Sequence, residues 1–162
     1  MSKKSLAYIK QAIISEIEGY EFYKMAASQA RETYVIETYL ELAEEERKHV
    51  ELLQKLHKQL EGEVSAFDLD TVDAPPTPGI FDWNKLDRED PKTTLSVFGI
   101  ALQLEKASYE FYLKASESME EEASQKLFKI LAAWEKAHYD MFDREYNTLL
   151  EDWWSEQGFA PF

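Results

Sequence analysis

Glu46-Arg47-Lys48-His49 is the stretch that decides the fold, a Glu-x-x-His step that returns 89 residues later as Glu135-Lys136-Ala137-His138. A Glu and a His three residues apart lie on one face of a helix, so both side chains can reach a single ion. Each step has an upstream companion at one fixed distance: Glu16 stands 30 residues before Glu46, and Glu105 stands 30 before Glu135. The two halves align without gaps around these positions. Glu16-Ile17-Glu18-Gly19-Tyr20-Glu21-Phe22-Tyr23 matches Glu105-Lys106-Ala107-Ser108-Tyr109-Glu110-Phe111-Tyr112, and Leu42-Ala43 matches Leu131-Ala132. Two such helical hairpins form an all-α, antiparallel four-helix bundle with an approximate two-fold axis. Four carboxylates and two imidazoles would gather around it.

Working outward, apolar residues at alternating three- and four-residue steps mark the helices. Helix one is expected over 3–30, with Leu6, Ile9, Ile13, Glu16, Tyr20 and Tyr23 on its seam. Helix two, over 33–60, carries Tyr39, Leu42, Glu46, His49, Leu53 and Leu56. The link near Arg31-Glu32 is short enough to require an antiparallel hairpin. Periodicity stops over 61–90, where Gly62, Pro75, Pro76, Pro78 and Gly79 break any helix. An extended chain of that length covers a helix of about 40 Å, so it can serve as one long crossover between helices two and three. Phe81 and Trp83 are expected to pin it to the bundle. Asp90-Pro91 reads as an N-cap followed by proline at the first helical position. Helix three is expected over 91–117, with Leu95, Phe98, Leu102, Glu105, Tyr109 and Tyr112 on its seam. Helix four is expected over 119–151, with Ser118-x-x-Glu121 as its capping box. An aromatic tail over 152–162, with Trp153, Trp154, Phe159 and Phe162, would pack back on the bundle or on a second subunit. The whole of 1–162 reads as one domain, a size able to bury a sizeable core.

Glu16, Glu46, Glu105 and Glu135 share their seams with Leu, Ile, Phe, Tyr and Ala. An unpaired buried carboxylate costs several kcal/mol, and four together repel one another. None of these seam positions is Lys or Arg. Two divalent cations neutralise four carboxylates, while His49 and His138 add neutral ligands, so the six residues read as a two-metal site. Mixed carboxylate and imidazole ligation suits iron or manganese, while zinc, the remaining choice, would waste the many oxygens. Tyr23 and Tyr112 each lie seven residues beyond a ligand Glu, placed either to donate hydrogen bonds to carboxylates across the bundle or simply to pack. They are the candidate catalytic residues outside the ligand set. His57 has Tyr146 at the matching position and is expected at the surface or an interface.

Composition narrows the function further. Apolar content of 44% and charged content of 31% are those of a folded protein. Thirty-two acidic against 18 basic residues leave a net charge of −14, which disfavours nucleic acid and anionic lipid as partners and favours cations. No apolar run approaches the roughly 18 residues of a membrane span, and no signal-peptide pattern opens the sequence. With no cysteine, disulfides, thiolate metal sites and cysteine nucleophiles are excluded; a reducing cytoplasm is the expected location.

A Glu on helices one and three with Glu-x-x-His on helices two and four resembles the ferritin-like di-iron carboxylate proteins. The duplicated Glu-(x)₆-Tyr, Glu16 to Tyr23 and Glu105 to Tyr112, is most similar to the rubrerythrin or erythrin branch. The resemblance covers the four helices. It implies that Glu46 and Glu135 bridge two irons, that Glu16 and Glu105 are terminal ligands, and that His49 and His138 each bind one iron. There are two departures. Rubrerythrins proper carry a C-terminal rubredoxin domain, whose iron is held by cysteines that this sequence lacks. They also carry an extra Glu three residues after the third-helix ligand, where this sequence has Ser108. The implied activity is an oxidoreductase that reduces hydrogen peroxide or dioxygen, supplied with electrons by a separate donor protein, in a homodimer. An iron-binding or storage protein with ferroxidase activity is the alternative in another class, and a purely structural metal site is the third.

Overall fold

The computed structural model describes residues 2–62 and 91–158. Four helices make up this part of the chain: α1 (Lys3–Gln29), α2 (Thr33–Leu60), α3 (Pro91–Ser118) and α4 (Glu122–Glu156). They pair as two hairpins, α1 with α2 and α3 with α4, joined through α1 against α3 and α2 against α4. This is the ferritin-like four-helix bundle that the duplicated pattern requires. None of the helices is long and apolar enough to cross a membrane.

Heptad-like spacing places the apolar residues in two separate clusters. One is built around Tyr23, Tyr39, Leu42, Phe98, Met141 and Phe142. The other is built around Ile9, Leu53, Leu56, Tyr112, Phe128 and Leu131. Along every helix the polar seam residues fall between members of the two clusters: Glu16 between Ala12 and Tyr23, Glu46 and His49 between Leu42 and Leu53, Glu105 between Ala101 and Tyr112, and Glu135 and His138 between Leu131 and Met141. The fold thus sandwiches one polar layer between two oily ones.

The ends of the helices differ from expectation in two places. Ser118 is the last residue of α3, and the N-cap of α4 is Glu121, which makes no side-chain capping bond. The turn instead buries Met119, whose carbonyl accepts from Gln125 Nε2 at 2.7 Å. Glu121 Oε1 accepts from the backbone N–H of Ser2 at 3.2 Å, so this carboxylate ties down the start of α1. The second difference is that α4 runs to Glu156 and not to 151. Nothing after Phe142 breaks a helix until Gly158, which adopts φ +74 just beyond the C-cap. Trp153 and Trp154 therefore stand on the last turn of α4, edge to face at 4.9 Å, and not in a tail. The crossover over 63–90, with Phe81, Trp83 and the Asp90 cap, lies outside the described residues, as do Phe159 and Phe162.

Candidate metal centre

α1 carries Glu16, α2 carries Glu46 and His49, α3 carries Glu105, and α4 carries Glu135 and His138. All six are buried, none more than 3% exposed. They fall into two overlapping sets of potential ligands, Glu16–Glu46–His49–Glu135 and Glu46–Glu105–Glu135–His138. Within each set one ligand atom per residue lies within 4.8 Å of all the others. Glu46 and Glu135 belong to both. The two hairpins therefore contribute one shared carboxylate each, as the internal repeat demands.

Both imidazoles turn Nδ1 toward the carboxylates. His49 Nδ1 is 3.0 Å from Glu135 Oε1, 3.3 Å from Glu16 Oε2 and 3.9 Å from Glu46 Oε2. Of these, only the Glu16 contact has hydrogen-bond geometry. His138 Nδ1 is 3.6 Å from Glu105 Oε2 and 3.9 Å from Glu46 Oε1, and it bonds to neither. Tyr23 Oη donates to Glu105 Oε1 at 2.5 Å, and Tyr112 Oη donates to Glu16 Oε1. Each tyrosine thus reaches across to the glutamate of the other hairpin. Their rings are fixed in opposite oily layers, Tyr23 stacked on Phe142 at 6.1 Å and Tyr112 edge-on to Phe128 at 5.1 Å.

Charge divides the four glutamates into two kinds. Burial alone would raise Glu16, but His49, Glu46 and Tyr112 outweigh it and hold its carboxyl at about 2. Burial likewise opposes ionisation of Glu105, and His138, Glu135 and Tyr23 overcome it and lower the value. Glu46 is pushed well above the usual range by burial and then by Glu16. Glu135 is pushed up by burial and then by Glu46. The two shared carboxyls are the ones that electrostatics keeps from ionising unless a positive charge stands between them.

The donor set fits divalent cations. Glu46 Oε1, Glu105 Oε2, Glu135 Oε1 and His138 Nδ1 are buried atoms without hydrogen-bond partners, gathered in one polar layer. Among the described residues, no lysine or arginine forms an ion pair with any of the six. A cavity of about 210 Å³ reaches this layer from the side of α1 and α3, lined by Ser15, Gly19, Glu46, Glu105, Ser108 and Glu135. Gly19 permits it: a Cβ there would lie 3.3 Å from Glu46 Oε2. Ser108 lines the same cavity.

One polar neighbour was not foreseen from the sequence. Glu45 Oε2 accepts from His138 Nε2, the nitrogen that points away from the cluster. Its side chain is 17% exposed. Glu45 sits in the run Glu44-Glu45-Glu46, whose first member is an exposed partner of Arg47 at 2.6 Å, so the sequence offers no mark that separates it from a solvated face. His57 stands apart from the cluster, half-buried, with Nδ1 3.1 Å from Glu61.

Comparison with known proteins agrees with the fold. The chain is similar over 94% of its length to a hypothetical protein from Pyrococcus furiosus of known structure, with 31% identity, 92% of that chain covered and a TM-score of 0.68. No curated protein matches it significantly. The rubrerythrin family model matches residues 8–146, a span that contains all six buried acids and imidazoles, and the chain therefore belongs to the rubrerythrin family.

Proposed function

We propose that the chain is a non-haem di-iron oxidoreductase that reduces hydrogen peroxide, or dioxygen, with electrons from a separate donor protein. The observation that carries this reading is the sharing of Glu46 and Glu135 between two overlapping ligand sets. Such sharing is what a pair of adjacent ions asks of a protein. In this reading Glu46 and Glu135 would be shared by the two ions, with Glu16 and His49 completing one ligand set and Glu105 and His138 the other. Oxygen-rich ligation with one imidazole per ion favours iron, or manganese, over softer metals.

Ferrous ions held there would supply the two electrons that, with two protons, convert hydrogen peroxide to two waters. The chain's own residues do the rest. Tyr23 and Tyr112 hold the outer oxygens of Glu105 and Glu16, which fixes where those carboxylates point. Burial raises both phenols well above their ordinary range, so each keeps its proton and remains a donor. The two oily layers shut bulk water out along the bundle axis. The cavity beside Gly19 and Ser108 gives a small oxidant a route to Glu46, Glu105 and Glu135, and its size excludes bulky organic substrates. The reading includes one ferritin-like domain, a cytoplasmic setting and a homodimer. Ile14, Ile17 and Met25, exposed on one side of α1, support the dimer, because the positions 89 residues later hold Gln103, Lys106 and Lys114.

The test is anaerobic loading with ferrous iron, followed by one equivalent of peroxide or air under stopped-flow observation. Two irons per chain, a fast optical change with peroxide and repeated re-reduction without loss of iron are expected. Iron that leaves the site and accumulates beyond two per chain would assign the protein to storage instead. A silent optical response with a large fall in melting temperature on chelation would leave only a structural metal.

A further inference from the structure

The repeat that builds the centre is broken at one pair of positions. Glu45 and Trp134 are 89 residues apart and so occupy equivalent places in the two hairpins. Glu45 accepts the outer N–H of His138, whereas Trp134 stands edge-on to the ring of His49 at 5.4 Å. As a result, His49 Nε2 is a buried nitrogen with no hydrogen-bond partner. The inner nitrogens differ in the opposite sense. His49 Nδ1 is engaged with Glu16 Oε2 at 3.3 Å, while His138 Nδ1 bonds to nothing.

From this asymmetry we infer that Glu45 is a positioning residue for His138 and makes the two metal positions unequal, the one at His138 binding a divalent cation more tightly than the one at His49. The inference rests on the two-metal reading above. A carboxylate is an acceptor only, so the bond from Nε2 fixes a proton on the outer nitrogen of His138 and leaves Nδ1 as the atom that can ligate. The same bond sets the ring's orientation before any ion arrives and strengthens the imidazole as a donor. His49 has neither advantage. To ligate through Nδ1 it must give up the contact with Glu16 and carry its proton on a nitrogen that has no acceptor. Ligation by His49 therefore begins with the loss of that contact, whereas His138 has no hydrogen bond at Nδ1 to give up. The effect belongs to this sequence because a tryptophan replaces the acid in the second hairpin.

Titration of the unaltered protein with cobalt(II), followed by metal analysis and visible absorption, tests the idea without reference to turnover. Two ions should bind per chain in two resolved steps. Glu45→Ala should weaken the tighter step about tenfold to a hundredfold, the usual effect of removing a partner of a ligating histidine, and leave the other step in place. Glu45→Gln, which keeps an acceptor oxygen, should recover part of the loss. In the cobalt-loaded protein, proton NMR should show two shifted, exchangeable ring N–H signals. The slower to exchange with deuterium should become the faster in Glu45→Ala. Two equal binding steps in the unaltered protein, or Glu45→Ala weakening both steps alike, would overturn the inference while leaving the two-metal reading intact. Failure of the unaltered protein to bind two cobalt ions would overturn both.

Discussion

Glu46 and Glu135 occupy places where leucine would be ordinary, and their unusual protonation follows from that. Both are raised well above the ordinary carboxylate value of 4.5, so the stability they contribute is fully present below that value and is lost as pH rises through their folded values. Glu16 and Glu105 are lowered, so their contribution is complete above 4.5 and fades only as pH falls further. From pH 4.5 upward the first pair therefore destabilises chelator-treated protein without compensation from the second. A divalent cation replaces the protons and removes that penalty. Melting temperatures with and without chelator should converge near pH 4.5 and separate steadily toward neutrality; a gap independent of pH would contradict the assignment. Tyr23→Phe and Tyr112→Phe each delete a donor to a buried charged oxygen, a loss of about 1.5–3 kcal/mol that urea unfolding of the chelated protein should register. Both tyrosines and all six acids and imidazoles were legible because a polar residue on an apolar seam, repeated at one offset, has few innocent explanations. Glu45 was not, since its partner lies 93 residues away and it follows the solvent-facing Glu44 in an acidic run.

At the level of the helices, α1 makes room for α2 through one residue. Gly19 lies mid-helix, where glycine costs about 1 kcal/mol relative to alanine, so α1 alone would be better with Ala. The reason to forgo that gain is the carboxylate 3.3 Å from where a Cβ would be. Gly19→Ala should accordingly leave urea stability of the chelated protein unchanged or raised, while weakening cobalt or ferrous binding about tenfold, because Glu46 has to move. Unaltered affinity, measured in the same titration, would mean that the contact is slack. Helix existence and pairing were readable from periodicity, and α2, Thr33–Leu60, lies where the apolar spacing places it. The ends of α4 were not. Ser118-x-x-Glu121 has the letters of a capping box, yet Ser118 still belongs to α3 and the turn that follows it buries Met119. The far end was misjudged for a related reason: two adjacent tryptophans look like a tail, but no glycine or proline interrupts α4 before Gly158.

For the molecule as a whole, the question is what holds one hairpin to the other. Within each hairpin the helices pack along their length, whereas contact between hairpins is thinner. The six buried residues sit on that thinner seam, with both shared glutamates drawn from opposite hairpins. The arrangement was visible in outline from the 89-residue offset, because a gapless duplication leaves a two-fold seam as the natural meeting place of equivalent residues. Bound cations would then act as staples between halves that carry a large excess of like charge, −14 over the chain. Any ligand specific to the folded state stabilises it by about 2.7 kcal/mol at a hundred times its dissociation constant. In a chain of this size each kcal/mol moves the melting temperature by roughly 2–4 °C. Chelation should therefore lower it by roughly 5–11 °C for each ion removed. General screening of the acidic surface also stabilises, so the comparison requires matched ionic strength. Under that condition, sodium chloride should fail to restore the lost temperature, and stoichiometric cobalt or ferrous ion should restore it in full. Equal recovery with salt alone would show that the cations act on the surface and not across the seam.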